Sequence, residues 1–386
     1  MIHRILCLFA ALVVQTTVVF GFDTNARAAF VLDQTTGTVL LDKNGTESVP
    51  PASMSKLMTL FLAFEAIRDG RLRWDEKLRV SQHAMDYTGS SMFLDITDRV
   101  TVEDLVRGII VLSGNDASAV IAEALAFDGT EAGFAIMMNQ RATELGMTSS
   151  SFANSNGWPN PRQRMSMKDL VTLADRIILD FPTYYPMFSE KEFKFDGRTP
   201  SNTQNRNPLL GLGIGADGLK TGHTREAGYG LVGSAKSGDR RIIFAITGLD
   251  SAAARAEECE RIVAWAFRQF AAKSLGDEGT EIAKAQVWMG EERTVGLTLA
   301  GESKILIPVS AGDLLETKME YNGPVEAPIA KGDKIAELVI TAPGMPENRI
   351  PLVATTDVAR GGVMSRMRTA AQVLLSMVNG GLAGGA

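Results

Sequence analysis

The sequence predicts an α+β protein: an antiparallel sheet flanked by helices, followed by a smaller β-sandwich-like domain and one terminal amphipathic helix. Three observations predict it. Strand-like runs and helical periodicity alternate from Ala29 to about Ala272. Helical spacing then vanishes until Asp357, where short apolar runs are separated by Gly, Pro and Asp turns. After Gly361-Gly362 an apolar stripe at i, i+3, i+4, i+7 begins.

Taken in order, the chain opens with Arg4, an apolar run from Ile5 to Phe22, and Ala26-Arg27-Ala28. This reads as a secretory leader over 1–28 with an Ala-x-Ala site, and the mature chain is expected to begin at Ala29 or nearby. Gln15, Thr16 and Thr17 interrupt the apolar run, which makes it too short for a clean membrane span. The product is therefore expected to be exported.

A first domain is expected over 29–273. Ala29 to Asp33 and Gly37 to Leu41 read as a hairpin, and Pro50-Pro51 breaks the chain before a helix from Met54 to Ile67. Thr101 and Asp104 form a capping signal for a helix reaching Leu112, and Asp116 to Ala126 and Thr130 to Leu145 also carry helical spacing. Leu219 to His223, Tyr229 to Ala235 and Arg241 to Leu249 read as strands, the last two joined by a Lys236-Ser-Gly-Asp239 turn, with a helix from Ala252 to Phe270 behind them. A β-rich domain is expected over 274–358. The tail, 359–386, places Val363, Met364, Met367, Ala370, Ala371, Leu374, Leu375 and Val378 on one face with arginines flanking it. On an exported chain that pattern fits an interfacial membrane anchor.

Composition narrows the function. With 386 residues and 45% apolar content the chain can bury a large core, and a net charge of −6 argues against nucleic acid as a partner. Of two cysteines, Cys7 lies in the leader, so Cys259 is expected to be a buried small hydrophobe with no disulfide. His3 lies in the leader too, leaving His83, read as a surface residue, and His223, which are too few for a zinc site. No cofactor is expected.

Three strings carry the chemistry: Ser53-Met-Ser-Lys56, Ser113-Gly-Asn115 and Lys220-Thr-Gly222. A spacing of three puts Ser53 and Lys56 on one helical face, where a neutral amine can take the hydroxyl proton. Burial and a second cation, Lys220, would lower the Lys56 pKa enough. Ser113 can relay a proton between Lys56 and a leaving amine, and Asn115 can hold either a substrate carbonyl or the Lys56 side chain. The Ser53 backbone N–H and one from the strand beginning at Lys220, that of His223, would make an oxyanion hole. Thr221, Thr224, Arg206 and Arg255 are candidates for binding a substrate carboxylate. Ser-x-x-Lys alone is a weak signal, and Lys-[Ser/Thr]-Gly recurs at Lys236, where a hairpin turn explains it. The order and spacing of all three strings make the signal strong.

On Pro51 to Thr59, Arg107 to Asp116 and Asp217 to Thr224, the chain resembles the serine-type D-alanyl-D-alanine carboxypeptidases, low-molecular-weight penicillin-binding proteins of the type-5 group. The resemblance covers the chain beyond the leader, and it implies a penicillin-binding, transpeptidase-like fold. It implies removal of the terminal D-alanine from peptidoglycan stem pentapeptides and acylation by β-lactams. It further implies Ser53 as nucleophile, Lys56 as base, Ser113 and Asn115 on the second wall, and Lys220, Thr221 and His223 on the strand. Arg206 and Arg255 correspond to the family's substrate-carboxylate arginines. Phe152 to Trp158 looks like its omega-type loop, with Asn156 where some members have histidine. Such an enzyme would sit at the outer face of the inner membrane.

Three rivals are weighed. A class A β-lactamase would need a deacylating glutamate in Glu-x-x-x-Asn between the second and third strings, and none occurs. An endopeptidase or transpeptidase on cross-links could use the same residues, but its short relatives lack the second domain. A cell-wall peptide-binding scaffold would not require every catalytic group to be present.

Overall fold

A computed structural model describes residues 22–276, 279–301, 304–309, 315–341, 347–363 and 367. The first unit is built on a five-stranded antiparallel sheet. Its hairpin is β1 (Ala28–Asp33) and β2 (Thr38–Lys43), and a short ribbon of β3 (Lys77–Arg79) and β4 (Arg99–Thr101) lies apart. The remaining strands are β5 (Ala216–Thr224), β6 (Gly228–Ser237) and β7 (Arg240–Leu249), giving the order β2-β1-β7-β6-β5. The Lys236 string falls at the β6–β7 turn, as expected, with Gly238 at φ 58°.

Strand β7 shows why the sheet is central. Ile243 and Ala245 face one core, while Ile242, Phe244 and Ile246 face another, so both sides are buried and the strand is apolar at successive positions. The first core is the helical lobe. It contains α1 (Lys56–Arg68), α2 (Gln82–Met85), α3 (Val102–Arg107), α4 (Asn115–Leu125), α5 (Glu131–Glu144) and α6 (Met167–Asp180). Helix α1 is buried nearly all round, which is what a helix without a polar face requires. On the opposite sheet face lies α7 (Ala252–Gln269), whose inner side includes the buried Cys259. Burial pushes the Cys259 thiol pKa up, consistent with an inert packing residue.

The capping signal holds: Thr101 Oγ1 accepts from Asp104 N at 3.1 Å. The helix it starts does not reach Leu112 in α form. It ends at Arg107 and continues as a π-helical turn, Gly108–Leu112.

The second unit starts earlier than expected. Strand β8 (Phe270–Ser274) pairs with β11 (Lys304–Pro308), so a boundary at 273/274 would cut a strand. A six-stranded sheet, β12-β14-β15-β10-β9-β13, completes it. These strands are β9 (Ala283–Trp288), β10 (Thr294–Leu299), β12 (Glu316–Glu320), β13 (Val325–Glu326), β14 (Lys334–Thr341) and β15 (Asn348–Ala354). Its core is its own, centred on Leu297 and Leu352.

The first unit also includes residues before Ala29. Ala28 lies in β1 opposite Thr247, Arg27 N donates to Thr247 O at 2.9 Å, and Ala26 and Thr24 are buried. Lys43 Nζ donates to Thr24 O at 2.6 Å, and the Phe22 ring packs 5.1 Å from that of Trp265. Cleavage before Ala29 would remove residues that belong to the fold. Residues 1–21 and most of the proposed anchor lie outside the described residues; Val363 and Met367 are exposed. Among the described residues no helix is long and apolar enough to cross a membrane.

Candidate active site

Ser53 lies in a 3₁₀ turn, Ala52–Ser55, immediately before α1, which starts at Lys56, two residues later than the Met54 expected. Two glycines let this turn be approached from both sides. A Cβ on Gly222 of β5 would lie 2.9 Å from Pro51 O and from Met54 Cγ, and one on Gly157, at φ 81°, would lie 1.9 Å from Ala52 O. The strand and the Phe152–Trp158 loop therefore close on the serine only because neither position carries a side chain.

Lys56 is fully buried, and its three ammonium hydrogens have three neutral acceptors. Nζ lies 2.9 Å from Ser53 Oγ, 2.7 Å from Asn115 Oδ1 and 2.6 Å from Asn156 O. Burial, then the positive charges of Lys220 and Arg206, hold its pKa well below the ordinary lysine value; Asp116 and Glu131 oppose them. The deprotonated amine is thus accessible, and its lone pair can face Ser53 Oγ. No carboxylate oxygen is a hydrogen-bond partner of that hydroxyl among the described residues.

The second wall departs from one expectation. Ser113 sits between the π-helical turn and α4, at φ 61°, ψ 34°, and its Oγ accepts from Lys220 Nζ at 2.9 Å. Its hydrogen-bonded lysine is Lys220, not Lys56. Burial, aided by Arg206 and Arg255, brings the Lys220 pKa down to about 7. Of the two tasks open to Asn115, the structure shows the second: its carbonyl holds Lys56, while Nδ2 donates to Thr88 O at 2.8 Å.

Strand β5 is the edge of the sheet, so one of its backbone edges is free of a strand partner and faces the serine turn. Thr221 and Gly222 are buried, Thr224 is half-buried and His223 is exposed, its ring stacked 3.9 Å from that of Tyr229. The Arg255 guanidinium lies over Tyr229 at 5.8 Å, and Arg255 Nη2 donates to Arg206 O at 3.4 Å. Arg206 donates to Ser90 Oγ. Neither arginine makes an ion pair among the described residues, and Arg255 Nε is buried with no hydrogen-bond partner there. Desolvation lowers both arginines' pKa values; Arg255 is buried while Arg206 keeps exposed surface, and neither has a counter-charge in contact among the described residues. A site of this kind fits an anion.

Sequence reasoning missed Ser90, Tyr87, Glu131 and Asp116 as supports. Asp116 accepts from Ser91 Oγ at 2.6 Å, Met92 N at 3.0 Å and Leu94 N at 3.1 Å, which fixes the loop carrying Ser90. Its adjacency to Ser113-Gly-Asn115 was the available signal. His83, expected to be an ordinary surface residue, contacts Glu131 at 2.8 Å while remaining half exposed.

A serine activated by a buried lysine, beside a second serine–lysine pair and an unneutralised arginine pair, defines a serine acyl-transfer hydrolase of the penicillin-binding fold. The chain belongs to the D-alanyl-D-alanine carboxypeptidase family: the family model matches residues 14–251, and a model of the penicillin-binding protein 5 C-terminal domain matches 270–360. It is 34% identical to D-alanyl-D-alanine carboxypeptidase DacD of Escherichia coli K12, covering 89% of each chain. It is 31% identical to DacF of Bacillus subtilis, over 89% of this chain and 88% of the relative. Among solved structures, penicillin-binding protein 5 of Haemophilus influenzae superposes with a TM-score of 0.76 at 30% identity, over 88% of this chain and 99% of that one. Penicillin-binding protein D2 of Listeria monocytogenes in its ampicillin-bound form superposes at 0.58 with 32% identity, over 64% and 99%.

Proposed function

We propose that this chain is an exported serine D,D-carboxypeptidase that removes the terminal D-alanine of peptidoglycan stem pentapeptides and is acylated by β-lactams at Ser53. The observation that carries the reading is the buried Lys56 amine 2.9 Å from Ser53 Oγ, with only neutral partners. Ser53 Oγ attacks the carbonyl carbon of the penultimate D-alanine while its proton passes to Lys56 Nζ. The backbone N–H groups of Ser53 and His223 stabilise the oxyanion. As the C–N bond breaks, Ser113 gives its proton to the leaving amine and is reprotonated by Lys220. Water then attacks the ester and gives one proton to Lys220, while Lys56 returns its proton to Ser53 Oγ as the ester C–O bond breaks, so that Ser53 and both lysines are restored. Arg206 and Arg255, with Thr221 and Thr224, receive the substrate's terminal carboxylate. A β-lactam enters the same path, consistent with the ampicillin-bound relative.

Export is supported by the basic, apolar start of the sequence, and peripheral attachment to the outer face of the inner membrane by the amphipathic pattern after Gly362. Packing of Phe22 to Ala28 into the fold supports a leader that ends before Phe22. The working division is then a catalytic domain from Phe22 to Gln269, a β-rich domain from Phe270 and a tail from about Ala359.

The experiment is twofold. Labelled penicillin should attach to the wild type and not to Ser53→Ala; label that survives the substitution removes Ser53 as nucleophile. Incubation with a pentapeptide ending in D-Ala-D-Ala should release free D-alanine, whereas cleavage confined to cross-linked muropeptides would favour an endopeptidase.

A further inference from the structure

Hydrogen-bonded to Ser155, one residue before the carbonyl that holds Lys56, lies a buried carboxylate that the proposed mechanism does not use. Glu131 opens α5, and Thr130 caps that helix by accepting from Gly133 N at 3.0 Å. Its Oε1 accepts from Ser155 N at 2.9 Å and from Ser155 Oγ; its Oε2 accepts from Tyr87 O–H at 2.6 Å and faces His83 Nε2 at 2.8 Å. Ser155 has no exposed surface. Its carbonyl accepts from Thr59 Oγ1 at 2.6 Å, and the next carbonyl, that of Asn156, accepts from Lys56 Nζ at 2.6 Å. Two successive carbonyls of one loop are therefore held on α1, and the residue carrying the first is fixed by Glu131.

We propose that Glu131 is a positioning residue for the proton-accepting amine, holding the Asn156 carbonyl on Lys56 through Ser155. The other members of the cluster support this reading. Tyr87, fixed by Glu131, packs edge-on to Trp158 at 5.8 Å, and Trp158 N donates to Asn156 Oδ1 at 2.9 Å. The loop is thus bound at both ends of the Ser155–Trp158 segment. Asn156 is held by its two oxygens, the carbonyl on Lys56 and Oδ1 on Trp158 N.

The carboxylate is ionised in the working range. Burial alone would raise its pKa, but the hydrogen bonds from Ser155, Tyr87 and His83 outweigh it and leave the value below that of an ordinary glutamate. Its charge reaches Lys56, where it and Asp116 oppose Lys220 and Arg206. Around Glu131 the titratable groups are Tyr87, His83 and, farther off, Glu123. Two effects then follow from one residue. Its hydrogen bonds place the amine, and its charge favours the protonated form of that amine.

The inference rests on Lys56 as the proton acceptor, and the experiment separates the two. The second-order rate of labelled penicillin acylation is measured against pH for wild type, Glu131→Gln and Ser155→Ala, with thermal unfolding of the same samples. A loosened amine should cost each variant about 10- to 100-fold in rate. In Glu131→Gln the lost negative charge favours neutral Lys56, so the rising limb of the profile moves to lower pH. In Ser155→Ala the charge remains, so the rate falls with the limb in place. A folded Glu131→Gln protein with the wild-type rate and limb overturns the proposal, and so does a lower rate with an unmoved limb, the outcome of general loosening. Should Glu131→Gln not fold, a wild-type rate in Ser155→Ala overturns it. A wild type that takes no label removes the Lys56 reading and this one with it.

Discussion

Lys220 Nζ donates to Ser113 Oγ across 2.9 Å, and the equal distance from Lys56 Nζ to Ser53 Oγ gives each lysine a serine of its own. Both amines are buried, and among the described residues neither has a carboxylate partner in hydrogen-bond contact. Burial disfavours the charged form of both lysines; Lys220 and Arg206 add to this at Lys56, and Arg206 and Arg255 add to it at Lys220. A proton can enter through one pair and leave through the other.

That arrangement opposes folding, and the pH dependence has a definite sign. The folded Lys220 pKa, about 7, lies below the ordinary 10.5. Between those values the unfolded chain binds more protons, so stability rises with pH by up to about 1.4 kcal/mol per unit from this group. Below about pH 7 the full penalty applies. Lys220→Met should be more stable than wild type at pH 7 and show a flatter rise to pH 9, while losing acylation. Urea unfolding at the two pH values measures this; a variant as steep as wild type would remove the buried cation as the cause. Lys56 shifts in the same direction, so a residual slope remains.

The serine turn should tolerate nothing larger than glycine behind it. At Gly157 an added methyl meets the Ala52 carbonyl oxygen at 1.9 Å, backbone against backbone, and φ is 81°. Gly157→Ala must therefore move the turn that aims Ser53, and a misplacement near 1 Å costs about 100-fold in rate. Gly146→Ala, at φ 72° with nothing within 4 Å, carries the conformational strain without the collision. Acylation rates and melting temperatures of the pair separate the two causes: a larger stability loss at Gly157 than at Gly146, with acylation slowed only at Gly157, is expected.

The three strings were legible because each chemical role needs a particular residue type at a particular distance along the chain. Ser53 and Lys56 are bound to each other by local geometry. The sheet was legible for the same reason, since β5, β6 and β7 follow one another through short turns. What stayed hidden came from distant segments. The pairing of Lys220 with Ser113 spans 107 residues, and the Glu131 contact with Ser155 depends on where a loop lands. Nor does local sequence say that Ala26 and Ala28 are core residues; their small size reads equally well as a cleavage signal. That Phe270 to Ser274 form a strand of the second unit was not legible, because β8 finds its partner, β11, only across an intervening pair of strands.

The arginine pair should be specific for a free carboxylate. Arg255 is buried, Arg206 keeps exposed surface, and neither has an ion pair among the described residues, so a bound carboxylate gains charge-assisted hydrogen bonds at little cost in counter-ion displacement. Arg206→Ala should lower kcat/KM on a free-acid pentapeptide by about 10- to 100-fold, the worth of about 1.5–3 kcal/mol for a charged hydrogen bond. On the same peptide ended by an amide, the variant and wild type should differ little. An equal loss on both peptides would place the effect in the loop, through Ser90, instead of in the substrate.

The segment before β1 provides the last test. Residues 22–28 contribute the Phe22–Trp265 packing with the Arg261 guanidinium 5.0 Å from the Phe22 ring, the Lys43 bond to Thr24 O, the Arg27 backbone bond to Thr247 and an Arg27–Glu47 ion pair at 2.6 Å. The exposed ion pair adds little, but the buried bonds and ring contact add about 1 kcal/mol each. A protein beginning at Ala29 should therefore melt several degrees below one beginning at Phe22, since about 1 kcal/mol corresponds to roughly 2–4 °C for a domain of this size. N-terminal sequencing of the exported protein provides the independent check. A start at Ala29 with an unchanged melting temperature would show that the segment packs against the fold without stabilising it.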